Sequence, residues 1–361
     1  MTIVECKKEL QNFLGQKKPV ECRACVLPDF FLDRFINLRW TTAEFSDLIA
    51  DVAKRKGGSI DGVPQTDMRG GNAINVASAL ANLGAMVTPI VCTSQHGLEQ
   101  IKFYFKDIHM DFSHIKVHDK ASITTALEFK NQSEKTNVMI RDLGSLANFG
   151  PKDLDENDYA LFEGADYICL FNWAGTLEFG TALAQAVFGK AKNRGKGKTY
   201  YDTADPTPNR GAIAGLLNKV LKSNQLDILS VNENEAIIYG SLLDESLNDK
   251  KGHLDFAELA MEAARILAKH LPARIDLHTS VFSATLKGKT EILVPSFKVN
   301  VLRVTGAGDS WTAGNILGDR NGLSDECRLM LANAVSACYL SDPQGKHPNW
   351  SKLSVFIKNN S

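Results

Sequence analysis

No apolar run in this 361-residue chain approaches the roughly 18 residues that a membrane-crossing helix needs. Charge of one sign is also missing. Against 41 Lys and Arg stand 42 Asp and Glu, a net charge of −1. No basic field points to nucleic acid and no acidic one to a cationic partner. The opening residues carry Lys7 and Lys8 and no apolar stretch of signal-peptide length, so the expectation is a cytoplasmic protein. Cysteines are few: Cys6, Cys22, Cys25, Cys92, Cys169, Cys327 and Cys338 make an odd count with no disulfide framework. Cys22 and Cys25 form a C-x-x-C without a second pair or nearby histidines, which reads as two reduced thiols at the entry to a strand. Two common phosphate loops are absent too. The G-K-T at Gly197-Lys198-Thr199 has Lys192 where a Walker A loop needs its first glycine, and a Rossmann G-x-G-x-x-G begun at Gly306 meets Trp311 in place of its third.

What the chain has is an ordinary globular balance, 44% apolar and 23% charged, with strand-like and helix-like stretches in alternation. The alternation predicts an α/β fold: a central, mostly parallel sheet with helices on both faces. Strands are expected at RACVL (23–27), VTPIVCTS (87–94), DYICLFNW (166–173), KTYYDT (198–203), LDILSVN (226–232), ARIDLHTS (273–280) and VNVLRV (299–304). TTALEF and TNVMIR, split by KNQSEK, form a hairpin. SATLKGKTEILVPS forms another, turning at Gly288. TTAEFSDLIADVAKR (41–55) is a helix, with Thr41 and Glu44 as a capping box and Phe45, Leu48, Ile49 and Val52 as its apolar stripe. NAINVASALANLGA (72–85) is a second helix, closed by Gly84 at C′. FAELAMEAARILAKHL (256–271) is an amphipathic third. SLLDESLNDKKGH (241–253) reads as a surface insertion. No linker divides the chain, so residues 1–361 are expected to form one domain.

Three stretches carry chemistry. RVTGAGDSWTAG (303–314) is a strand-to-helix turn, Thr305-Gly306-Ala307-Gly308, followed at once by an acid. Glycines let the backbone approach a ligand, and a helix start exposes unpaired N–H groups and the positive end of the dipole. That combination suits phosphate. Asp309 there is either a helix-start acid or a base beside a transferred phosphoryl group. MRGGNAINVASALANLG places Gly70 and Gly71 before a helix with Asn75 one turn in, an amide that both donates and accepts. In LSVNENEA, Asn232 and Glu235 stand three apart at a helix start. They either face solvent or meet hydrated Mg²⁺ and phosphate oxygens.

Together these stretches resemble the ribokinase-like, or PfkB, family of carbohydrate and nucleoside kinases, in the family's order, from about residue 25 to about residue 345. The resemblance implies a small β-rich lid built from segments near 33–40, 57–69 and 110–142. It implies that Asp309 is the base and that the N–H groups of Gly306, Ala307 and Gly308 form an anion hole. Asp33, with Asp29, Gly71, Asn75, Asn172 and Asp202, would bind the acceptor, with Trp173 and Gly175 beside them. Asn232, Glu235, Thr305, Ser280, Ser283 and Asn333 would serve the nucleotide, Glu235 meeting the metal through water. ATP and Mg²⁺ are the implied cofactors, and a homodimer through the lid is the implied assembly.

Two departures stand out. Where the family often has an aspartate tied to monovalent-cation activation, this chain has Arg303. Its T-x-G-x-x-G turn reads HTSVFSA here, with His278 in the threonine's place.

The reaction so implied is transfer of the γ-phosphoryl of Mg-ATP to a hydroxyl of a small sugar or sugar acid. A nucleoside acceptor stays open, with Phe171 and Trp173 as walls for a base. A sugar phosphate would need Arg69, Arg141 and Arg210 to converge. A non-catalytic sensor on the same scaffold has no need of Asp309. Pyridoxal- or hydroxymethylpyrimidine-type kinases often have a shortened signature and little lid, unlike this chain.

Overall fold

The computed structural model describes residues 3–15, 21–130, 135–303 and 305–360. Among them the strands are β1 (Arg23–Leu27), β2 (Phe31–Asn37), β3 (Gln65–Gly70), β4 (Met86–Pro89), β5 (Cys92–Ser94), β6 (Lys116–His118), β7 (Ser122–Lys130), β8 (Lys135–Asp142), β9 (Tyr167–Phe171), β10 (Lys198–Asp202), β11 (Ile228–Val231), β12 (Arg274–His278), β13 (Phe282–Lys287) and β14 (Thr290–Pro295).

Eight of them form the central sheet, in the order β14-β13-β12-β11-β10-β9-β1-β4. From β4 to β12 every pairing is parallel, and β13 and β14 close the edge as an antiparallel hairpin. Parallel strands are covered on both faces, so they read as unbroken apolar runs. Tyr-Ile-Cys-Leu-Phe of β9 is buried at every position. One apolar cluster fills each face: Leu170, Phe188 and Leu229 on one, Val26, Ile316 and Val335 on the other. The cysteines all lie buried as free thiols.

A second sheet of four strands, ordered β3-β2-β7-β8, stands beside the first, and β5 pairs with β6 in a third. The four strands fall at or next to the segments expected for the lid, and β7 and β8 pair antiparallel as the hairpin predicted from TTALEF and TNVMIR. Its turn, residues 131–134, lies outside the described residues.

The capping box at Thr41 and Glu44 is present, but the helix Thr42–Lys54 has no buried residue. Its apolar stripe covers a surface rather than a core. VTPIVCTS divides at Pro89 into β4 and β5, which belong to different sheets. VNVLRV is not a strand over residues 299–303, and Val304 is outside the described residues. The Leu302 N–H bonds the carbonyl of Leu340 instead of a sheet neighbour, and Val301 and Leu302 stay exposed.

Candidate active site

Helix Asn72–Asn82 starts at Gly71, which offers no side-chain cap. The cap comes from elsewhere. Asp29, in the turn after β1, accepts the N–H groups of Asn72 and Ala73 at 2.9 Å each and the Asn172 amide at 2.8 Å. It is fully buried. The structure therefore gives Asp29 a structural task as the cap of this helix. Asn172 sits in the left-handed region (φ 51°) and gives its amide N–H to the same contact, while its buried Oδ1 has no partner.

Helix Ala307–Arg320 begins at Gly306, whose φ of 86° suits glycine. The first N–H groups of a helix have no partner within it, so Gly306, Ala307 and Gly308 present donors at the mouth of the turn. Asp309 follows, nearly buried. Its Oδ1 accepts the Asn72 amide and its Oδ2 the Asn75 amide, both at 2.9 Å. Burial raises its carboxyl to about 8, the two amides partly offset that, and the charges of Asp202 and Asp29 add to it. Asn75 thus meets Asp309, and Asn72, not singled out from sequence, does the same from the opposite oxygen. The signal for Asn72 was its place directly behind the paired glycines.

Beside Asp309 a cavity of about 950 Å³ opens at the carboxyl ends of β10, β11 and β12. Open α/β sheets place their ligands at such ends. Asp202, Asn232, Glu235 and the Gly306–Asp309 turn line one side. Val281, Pro295, Phe297, Val301 and Leu340 line an apolar side. Asn232 caps helix Glu233–Leu243 and exchanges hydrogen bonds with Glu235 as a full capping box. Burial lifts the Glu235 carboxyl well above its usual range and nearby Asp202 lifts it further; Asp202 itself is raised to about 6 by burial. Two buried acids that no ion pair meets among the described residues suit a hard divalent cation. No cluster of three or more metal-ligating side chains occurs among the described residues, so such an ion would be met largely through water and ligand oxygens.

The remaining expected residues divide. Ser280 lines the cavity, and its N–H bonds Glu233 at 2.8 Å. Thr305 is exposed at the turn. Ser283 does not reach the cavity: buried, it bonds the Trp311 indole and Asn333. Asn333 lines the cavity, but its amide is committed to Trp311 and to the Pro295 carbonyl. Both serve the Trp311 contact, so Ser283 stands behind the cavity wall while Asn333 forms part of it. His278 lies on the Trp311 ring with burial holding it neutral, at about 4.

Gly71 packs on the backbone of Asp29 and Phe30. Asp33 lies on β2 against Gly70, on the strand face shared with Thr124 and Arg141. Burial raises it to about 6, and its buried Oδ1 has no partner. Phe171 and Trp173 are buried in the core and form no wall for a base. The three arginines make separate contacts: Arg69 bonds Ser78 and His347, Arg141 lies over Phe31, and Arg210 is exposed.

A comparison with curated proteins returns no match. Solved structures share the fold at low identity. A probable sugar kinase from Rhizobium etli CFN 42 matches at 19% identity and a TM-score of 0.69, over 94% of this chain and 98% of its own. Adenosine kinase from Sinorhizobium meliloti matches at 17% and 0.68, over 94% and 99%. Ribokinase from Arabidopsis thaliana, solved with ribose and ATP, matches at 17% and 0.68, over 94% and 99%. The model of the pfkB family of carbohydrate kinases matches residues 42–352. That span holds both glycine turns, Asn75, Glu235 and the buried Asp309, and the chain belongs to the pfkB carbohydrate kinase family, whose members are phosphotransferases.

Proposed function

We propose that this protein transfers the γ-phosphoryl group of ATP to a hydroxyl of a small sugar or sugar acid in the cytoplasm. The observation that carries the reading is Asp309: a buried carboxylate held by two amides, directly behind the unpaired N–H groups of a helix start, at the wall of a large cavity. In this reading Asp309 takes the proton of the acceptor hydroxyl as its oxygen attacks phosphorus, and ADP leaves. The N–H groups of Gly306, Ala307 and Gly308 hold the charge of the transferring group. A preorganised donor of that kind contributes about 3 kcal/mol in the transition state. Asp202 and Glu235, with Asn232, would hold Mg²⁺ through water, and the ion supplies charge neutralisation at the phosphates. The apolar side of the cavity takes the nucleobase.

Asp33 and Gly71 serve the acceptor. The unpartnered Asp33 oxygen supports this, since a buried acceptor atom of that kind is completed by a ligand hydroxyl. The four-stranded sheet acts as the lid that excludes water, and its edges β3 and β8 offer a homodimer contact. Phe171 and Trp173, spent in the core, favour a sugar over a nucleoside.

The test is ADP release from Mg-ATP across sugars, sugar acids and nucleosides. Strong turnover with one sugar or sugar acid is expected. A nucleoside as best acceptor would transfer the reading to that class. ATP binding without any turnover would favour the sensor.

A further inference from the structure

Helix Asp325–Leu340 runs behind the anion-hole turn and touches it twice from one face. Ser336 Oγ donates to the carbonyl of Ala307 at 3.0 Å, and the Tyr339 hydroxyl donates to the carbonyl of Thr305 at 3.1 Å. These are the carbonyls of two particular peptide groups. The Thr305 carbonyl shares its plane with the Gly306 N–H, and the Ala307 carbonyl with the Gly308 N–H. In a trans peptide the two ends point in opposite directions. A donor that fixes the oxygen from behind therefore turns the N–H away from itself, out of the turn. We infer that Ser336 and Tyr339 are the positioning residues of the anion hole, aiming the Gly306 and Gly308 N–H groups by holding the opposite ends of their peptides. The inference rests on the anion-hole reading above.

Tyr339 is itself held firmly. His347 stacks on its ring at 4.7 Å and 26°, and the Arg303 guanidinium lies over the ring at 5.8 Å. Arg303 donates to the carbonyls of Asp342 and Pro343 at 2.8 and 3.0 Å, which fixes it to the loop that follows the helix. Neutral His347 accepts from Arg69 at 3.1 Å and bonds Ser78 at 2.9 Å. Ser78 lies one turn beyond Asn75, the residue that holds Asp309. The same hydroxyl leaves no room for a side chain on the turn: a Cβ at Gly306 would come within 2.8 Å of the Tyr339 oxygen. One assembly thus carries both the base and the donors.

The test is Tyr339→Phe, Ser336→Ala and the double variant, each removing a hydroxyl and little else. Steady-state kinetics should show kcat lowered roughly ten- to a hundredfold in the double variant, with acceptor KM and melting temperature nearly unchanged. Hydrogen exchange with Mg-ATP bound and no acceptor present, which needs no turnover, should show the Gly306 and Gly308 amides, protected there by the bound phosphate, exchanging faster than in the native complex while the rest of helix Asp325–Leu340 keeps its protection. Turn amides that exchange as in the native protein would overturn the inference, as would a double variant whose kcat stays within twofold. Faster exchange along the whole helix with a lowered melting temperature would also overturn it, because the hydroxyls would then be general supports. Two controls separate the readings: absence of turnover in the native protein removes the kinase reading, and native activity in Asp309→Asn takes the base role from Asp309, while the exchange result still judges the positioning role.

Discussion

At Asp309 burial and hydrogen bonding act in opposite directions on one carboxyl. Burial raises it to about 8, and the amides of Asn72 and Asn75 partly restore the charged form. A base must be ionised to accept a proton, so the protonated fraction below that pH is inactive. For the free enzyme, kcat/KM is predicted to fall as pH drops below about 8, toward tenfold per unit. A profile flat from pH 6 to 9 would remove Asp309 from the base role. Asp309→Asn is predicted to lose several orders in kcat while nucleotide binding, measured by calorimetry, is mostly kept. Asp309 was legible as a candidate because it stands directly behind a glycine turn, although a helix start accepts an acid for structural reasons too, and the neighbouring motifs with their family resemblance were what favoured the base. Asn72 was not, because its bond to Asp309 spans 237 positions. Ser283 and Asn333 were ambiguous for a physical reason. Small polar residues suit a ligand site and a buried hydrogen bond equally, and only the fold shows that Trp311 claims both.

The elements that carry the site are a helix start and the helix behind it. A Cβ on Gly308 would stand 3.1 Å from the His278 ring, on the side where the phosphate would lie. Gly308→Val is predicted to abolish nucleotide binding by calorimetry, and unchanged affinity would count against the anion hole. Further along the same helix a Cβ on Gly314 would come within 2.7 Å of the Ala332 Cα. Gly314→Val therefore has to separate helices Ala307–Arg320 and Asp325–Leu340, a cost of about 1–3 kcal/mol or more read as a lowered melting temperature. Buried strands such as β9, β11 and β12 were legible as short apolar runs closed by polar residues. Residues 299–303 alternate like a strand, yet Val299 and Val301 are apolar because they line the cavity. Periodicity reports which faces are dry, and it cannot tell a sheet from a ligand as the cover.

Across the whole molecule, the ligand-free site gathers acids. Asp29, Asp202, Glu235 and Asp309 are all raised, chiefly by burial. The folded protein keeps protons that the unfolded chain has already released, so stability falls as pH rises through the raised values. His278 and His347 act oppositely: held neutral in the fold, they cost stability only below about 6.5, where the unfolded imidazole takes a proton. The ligand-free protein is therefore predicted to melt higher at pH 6.5 than at pH 8, and equal melting temperatures would contradict the raised acids. The α/β layout was legible from the alternation of elements. The position of the four-stranded sheet came from resemblance, since strands exposed on one face leave a weak pattern.

The central claim is that Asp309 drives phosphoryl transfer to a hydroxyl. Phosphorus NMR of the protein with Mg-ATP and the acceptor found by the panel tests it most directly. The account predicts that the γ-phosphate signal is replaced by a phosphomonoester on the acceptor, and that Asp309→Asn produces almost none. Release of inorganic phosphate alone, or equal product from the variant, would contradict it.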